Sequence, residues 1–177
     1  MEKTNFALNK SIEILQNTPL SLESLLNTLS NDWLFENEGT DTWSPYDVLR
    51  HLIVAEKTNW LPRIKSILEQ PEVVPFPAFD RFAEQDAPKN IPIANLTEEF
   101  KKLRNANLQE LQSFGISDED LRKKGLHPEF GEVNLAQLIS TWLVHDLGHL
   151  SQINRVMAKH YRSDVGPWIN YLSILKT

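Results

Sequence analysis

The sequence predicts an all-α protein, a four-helix bundle with one long Pro-rich crossover. Three observations carry this reading. Four long segments repeat apolar residues at helical spacing, five of the ten prolines fall between residues 71 and 92, and no stretch shows a run of alternating strands. A chain of 177 residues with 41% hydrophobic content suffices for one sizeable core and is short for two, so residues 1–177 read as a single domain.

The first segment, residues 4–16, carries Phe6, Leu8, Ile12 and Leu15 at approximate helical spacing. Thr18-Pro19 then has the form of an N-cap followed by proline at the first helical position, and Leu22, Leu25, Leu26 and Leu29 extend the stripe, as one kinked helix or as two pieces. The second helix lies in TWSPYDVLRHLIVAEKTNWLPRIKSIL. Ser44 suits its N-cap, Pro45 its first position, and Asp47 puts negative charge in the first turn. Val48, Leu52 and Ala55 form an inward stripe that Ile64 and Leu68 resume. Between them Pro62 cannot donate to the helix ladder and crowds the carbonyl of Thr58, which predicts a kink.

Residues 71–92, PEVVPFPAFDRFAEQDAPKNIP, oppose both helix and central strand and read as a long ordered crossover. Phe76, Phe79 and Phe82 are expected to pack it on the body, either as plain anchors or as part of a lid over a cleft. A third helix is expected from Thr97 to Phe114 with Phe100, Leu103, Leu111 and Phe114 inward. Ser117 and Asp120 cap a short helix that Gly125 can end, LHPEFGEVN is a turn-rich connection, and Asn134 with Gln137 resembles a capping box opening the last long helix. The tail VGPWINYLSIL is too apolar to float free and is expected to pack on the bundle or in a dimer contact.

Charge and composition exclude several functions. A net charge of -6 argues against a nucleic-acid partner, since the lysines and arginines are scattered, as in KKLR (101–104) and RKK (122–124), which read as solvated faces or loops. No window has the apolar length of a membrane span, and MEKTNFALNK lacks a signal-peptide core, so a cytoplasmic location and no membrane partner are expected. With no cysteine, any metal site must use histidine, carboxylate or water.

On the last long helix, which carries TWLVHDLGHLSQINRV, the positions Leu138, Trp142, His145, His149, Gln152 and Val156 recur at steps of three and four and define one stripe facing the core. Imidazoles at i and i+4 reach a common point, the spacing that helical metal sites favour. His51, beside Val48, Leu52 and Ala55, is a third inward histidine, and three from two helices would make an open-position metal site. Two or three histidines hydrogen-bonded in a core are the alternative. HDLGH is not the HExxH of zinc peptidases: position 146 is Asp, too short to place the carboxylate as that Glu does, and no third ligand follows downstream. Gln152 and Glu56 are candidates to support the site from behind, Trp60 and Trp142 to wall it, and His127 to reach its mouth, each with a plain core or surface reading beside it. Asp146 reads as a surface or cap carboxylate, and His160 as exposed near the helix C-terminus.

Taken in order, TPLSLESLL, EGTDTWSPYDVLRHLIVAEKTNWLPRI, LHPEFGEVNLAQLISTW and VHDLGHLSQINRVMAKHYRSDVGPWINYL closely resemble the DinB-like (damage-inducible) superfamily over nearly the whole chain. The resemblance implies a four-helix bundle with a long crossover, often a homodimer, holding a divalent metal through three histidines, here His51, His145 and His149. It also implies a metal-dependent enzyme joining a low-molecular-weight thiol of the bacillithiol, mycothiol or glutathione kind to small electrophiles in stress or detoxification. Zinc, nickel and iron all suit three imidazoles. A metal-binding or dimerising stress protein with a structural or sensory site is the alternative, and a scaffold with hydrogen-bonded core histidines is the third. No catalytic residue is assigned.

Overall fold

The computed structural model describes residues 6–70, 72–83 and 87–176. Residues 4 and 5 of the first segment, and 71 and 84–86 of the crossover, lie outside the described residues. The helices are α1 (Leu8–Leu26), α2 (Asn31–Phe35), α3 (Pro45–Thr58), α4 (Trp60–Glu69), α5 (Ile93–Ser113) and α6 (Leu135–His160), with a two-stranded hairpin of β1 (Lys124–His127) and β2 (Gly131–Asn134) before α6. α1 packs on α5 and α6, and α3 packs on the same two, which sets α1 opposite α3 across the bundle. No helix among the described residues is long and apolar enough to cross a membrane.

Local chemistry explains most boundaries. Ser44 accepts from the Asp47 backbone N–H while Asp47 accepts from that of Ser44, a reciprocal cap with Pro45 at the first position. Asn134 and Gln137 make the same exchange at the start of α6. The expected kink is a break at Asn59, between α3 and α4, where Pro62 removes the donor for Thr58.

Thr18-Pro19 departs from expectation. α1 is a single helix through Pro19, and Thr18 caps nothing; its hydroxyl donates to the carbonyl of Ile14. Proline at 19 deprives the carbonyl of Leu15 of its helical donor, and the guanidinium of Arg104 supplies one from α5 at 2.9 Å. A helix interrupted at 19 would have been the default; a donor from across the bundle removes the need.

α5 begins at Ile93, four residues before Thr97, with Leu96 and Phe100 buried, while Leu103 and Phe114 are only partly covered. Gly125 does not end a helix. After a 3-10 turn at Asp120–Arg122 it lies in β1, paired with Val133, in a hairpin that the turn-rich connection concealed. Its missing side chain makes room for Phe76: a Cβ there would run into the Phe76 ring and come within 2.9 Å of Ile67 Cγ1.

The described part of the crossover straps onto the bundle. Phe76 is buried and its N–H donates to Leu126 of β1 at 2.8 Å. Tyr46, Arg50 and Arg63 bond to Ile91, Ala87 and Pro77. Phe79 is partly covered and Phe82 exposed, so of the three phenylalanines only Phe76 is a core anchor. The tail returns to α6 through buried Leu175 and leaves Trp168 and Tyr171 at 68% and 87% exposure.

Two apolar clusters fill the bundle. One holds Leu15, Ala55, Leu108 and Trp142; the other holds Leu22, Leu52, Phe100 and Ile153. Between them, on α5 and α6, lie Arg104 and Asp146, both fully buried. Arg104 donates to Asp146 at 2.5 and 3.0 Å and to Glu56 at 2.9 Å. Trp142 Nε1 and Asn107 Nδ2 also donate to the Glu56 carboxylate, each at 2.9 Å. Of KKLR, Lys101 and Lys102 keep to the solvated side as expected, but Arg104 is buried, and Asp146 is not the surface carboxylate expected at that position. Burial alone works against the Arg104 charge, but Glu56 and Asp146 raise its pKa above the usual arginine value.

Candidate metal centre

His51 stands in the middle of α3, and His145 and His149 one turn apart on α6. Their ring nitrogens all lie within 4.8 Å of one another, the one such histidine, cysteine or carboxylate cluster among the described residues. The Nε2 atoms of His51 and His145 are 3.0 Å apart, and those of His149 and His145 3.2 Å. Two nitrogens bound to one ion at 2.0–2.1 Å would be separated by roughly 3.0–3.4 Å.

Proton positions sharpen the fit. His51 Nδ1 faces the carbonyl oxygen of Arg81 at 3.4 Å, and His149 Nδ1 faces the Gln152 Oε1 at 2.9 Å. Each oxygen can only accept, so each Nδ1 carries the proton and each Nε2 is left with a bare lone pair. At most one proton, on His145, can then sit among three converging nitrogens. A divalent cation satisfies all three lone pairs. His145 Nδ1 is buried without a partner.

Burial lowers all three pKa values, to about 4 for His51 and about 3 for His145, each reinforced by a neighbouring histidine. The rings therefore stay neutral at neutral pH, the state that binds metal. Trp43 lies parallel to His149 at 6.0 Å and tilted against His51 at 4.6 Å, while Trp60 meets His145 edge-on.

The three histidines open onto a cleft of about 700 Å³. Gln152 and His127 line it. Gln152 bonds the His149 ring through its Oε1. Glu56, Trp60 and Trp142 are not in the cleft wall. Trp60 stacks on Trp142 at 5.9 Å behind His145, and Glu56 is occupied by Arg104, Asn107 and Trp142. The α6 seam runs through Trp142, Asp146 and Ile153, all buried, leaving His145 and His149 on the flank that faces the cleft. Steps of three and four from Trp142 reach 145 and 146 alike, and only packing decides between them.

Arg63, Arg81, Trp43 and the Glu38–Arg155 pair also line the cleft and were missed in the sequence. Arg155 holds both Glu38 oxygens at 2.7 Å and Lys159 adds a third bond, which together outweigh burial and lower the Glu38 pKa to about 2. No sequence signal marks Glu38, Trp43 and Arg81, because the loops around 38–43 and 77–82 carry no helical period; Arg63 and Arg155 lie on α4 and α6, where a charged side chain reads as solvated face.

A helical bundle with three histidines from two helices converging beneath a cleft defines a class of candidate metal-site proteins. The chain belongs to the DinB superfamily, whose profile matches residues 14–153. Its fold is similar to that of YfiT from Bacillus subtilis, described as a probable metal-dependent hydrolase with an unusual four-helix bundle topology, at a TM-score of 0.75 and 15% identity over 90% of this chain and 93% of that one. A DinB-like protein from Bacillus cereus ATCC 10987 is similar at a TM-score of 0.60 and 17% identity, covering 89% and 95%. No curated protein matches.

Proposed function

We propose that this protein is a divalent-metal-dependent thiol S-transferase, with His51, His145 and His149 holding the ion and the cleft receiving a small electrophile and a low-molecular-weight thiol. The observation that carries this reading is the convergence of three Nε2 atoms, two of them stripped of protons by carbonyl partners, at a cleft. A bound divalent ion supplies Lewis acidity, lowering the pKa of a thiol or water placed against it. Gln152 and the Arg81 carbonyl hold two of the rings in the metal-binding tautomer, and Trp43 and Phe79 pack against the His51 ring.

The carboxylates beside the histidines favour a thiol. Glu56 and Asp146 are both committed to Arg104, and Glu38 to Arg155 and Lys159, so a general base would have to come from Asp41 or Glu129 of the cleft lining. A thiol, with a reference pKa of about 8.5, ionises with less help than water. Hydrolysis is the second reading, supported by the description of YfiT as a probable metal-dependent hydrolase. A structural or sensory metal site without turnover is the third.

The test starts with metal content. Protein purified without affinity tag or chelator is compared with a His145→Ala, His149→Ala double variant, then assayed with bacillithiol, mycothiol and glutathione against alkylating and epoxide electrophiles, and with simple esters. Near-stoichiometric metal that disappears in the double variant, with thiol conjugation that disappears alongside it, supports the proposal. Ester cleavage without conjugation supports hydrolysis, and bound metal without turnover supports the third reading. A wild type that takes up no zinc, nickel or iron refutes all three.

A further inference from the structure

We propose that the cleft selects a small carboxylate-bearing ligand, its carboxylate held by Arg63 and His127 and its apolar body set against Phe79, Phe82 and Phe130. This deepens the proposed function by naming a substrate class for the same cleft.

Arg63 on α4 is the central observation. It is 6% exposed and lines the cleft, yet no carboxylate among the described residues pairs with it. Its single hydrogen bond runs from Nη2 to the Pro77 carbonyl at 3.2 Å, and its guanidinium lies 5.3 Å from the centre of the Phe76 ring. A bond to a carbonyl requires a donor and not a charge, so clasping the crossover does not account for arginine here. Burial lowers the Arg63 pKa and no neighbouring anion offsets it. Arg104 and Arg155, by contrast, each meet a carboxylate. The other Arg63 N–H groups are not sealed in the interior and open on the cleft. A buried, unpaired guanidinium is costly to keep unless a ligand completes it.

His127 supplies the second donor. Its Nδ1 accepts from the backbone N–H groups of Glu129 at 3.2 Å and Phe130 at 3.4 Å, so the neutral ring carries its proton on Nε2. That N–H has no acceptor among the described residues, and the ring is held flat against Phe130, centroids 4.5 Å apart. Burial and then the Arg63 charge lower the His127 pKa, which keeps the ring neutral, and both side chains line the same cleft. The Arg63 charge beside the neutral His127 donor matches a monoanionic carboxylate; Arg81 also lines the cleft, so the phenyl phosphate titration decides between a monoanion and a dianion.

The experiment is calorimetric titration of the protein as purified with benzoate, benzamide and phenyl phosphate, repeated after chelator treatment so that carboxylate binding to metal is separated from binding to Arg63. Benzoate is expected to bind at least tenfold more tightly than benzamide in both preparations. Arg63→Gln keeps a donor for Pro77 and is expected to erase that preference; Arg63→Lys retains part of it, and His127→Phe weakens benzoate severalfold. Equal binding of benzoate and benzamide, no benzoate binding at millimolar concentration, or an unchanged preference in Arg63→Gln overturns the proposal. Phenyl phosphate binding tenfold more tightly than benzoate overturns the carboxylate assignment. The wild-type comparison stands even if a variant fails to fold. Because binding is read in chelated protein, the site survives failure of the metal reading, and the metal reading survives failure of the site.

Discussion

Arg104 on α5 bonds both carboxylate oxygens of Asp146 on α6, at 2.5 and 3.0 Å, with neither side chain exposed. Asp146 follows His145 directly, so this ion pair anchors the turn of α6 that presents the first of the clustered histidines. The same guanidinium reaches Glu56 on α3 and the carbonyl of Leu15 on α1, tying four helices to one side chain.

Removing Arg104 strands two buried carboxylates. Arg104→Met is expected to cost about 3–5 kcal/mol, read from urea denaturation. Arg104→Lys is expected to recover little of it, because an ammonium cannot span Asp146 and Glu56 in a planar fork. A loss below about 1 kcal/mol in Arg104→Met would show that the network contributes little to stability.

Gln152 holds the His149 ring by a hydrogen bond at Nδ1. Gln152→Leu is expected to lower affinity for zinc by about 10–100-fold with the fold intact. Competition with a chromophoric chelator measures it, and unchanged affinity would assign Gln152 to the cleft wall alone.

Acid is expected to destabilise the metal-free protein in a defined window. His51 and His145 have folded pKa values of about 4 and 3 against 6.5 when unfolded, so between these limits the unfolded chain binds more protons. Their contribution is full above pH 6.5 and is lost as pH falls, down to about 4 for His51 and about 3 for His145, with a slope approaching about 1.4 kcal/mol per pH unit for each ring. Glu38, at about 2 against 4.5, extends the loss below pH 4.5 as its ion pairs are protonated away. Urea denaturation at pH 7.5, 6 and 5 should show this slope, and His51→Gln should flatten it.

Gly125→Ala puts a methyl group where the Phe76 ring lies. The expected cost is about 1–3 kcal/mol, as for overpacking elsewhere, with faster proteolysis of the crossover. Unchanged proteolysis would mean that the crossover is held chiefly by Tyr46, Arg50 and Arg63.

The bundle, the Ser44 N-cap with Pro45, the Asn134–Gln137 capping box, the interruption ahead of Pro62 and the i, i+4 histidine pair were legible in the sequence, because each is written in local spacing or cap chemistry. Its limits fall where a residue's environment comes from another helix. Arg104 stands in phase with Leu96, Phe100, Leu108 and Leu111, so its inward position was legible; its charge made it look like surface until Glu56 and Asp146 were seen to meet it. Asp146 and His145 are equally compatible with the apolar period of α6, and only the packing of α1 and α3 on that helix, with Arg104 reaching across from α5, turned the carboxylate inward and the imidazole toward the cleft. The unpaired charge of Arg63 was likewise invisible in sequence. Burial and partners depend on contacts between segments far apart in the chain, and tertiary structure alone decided them.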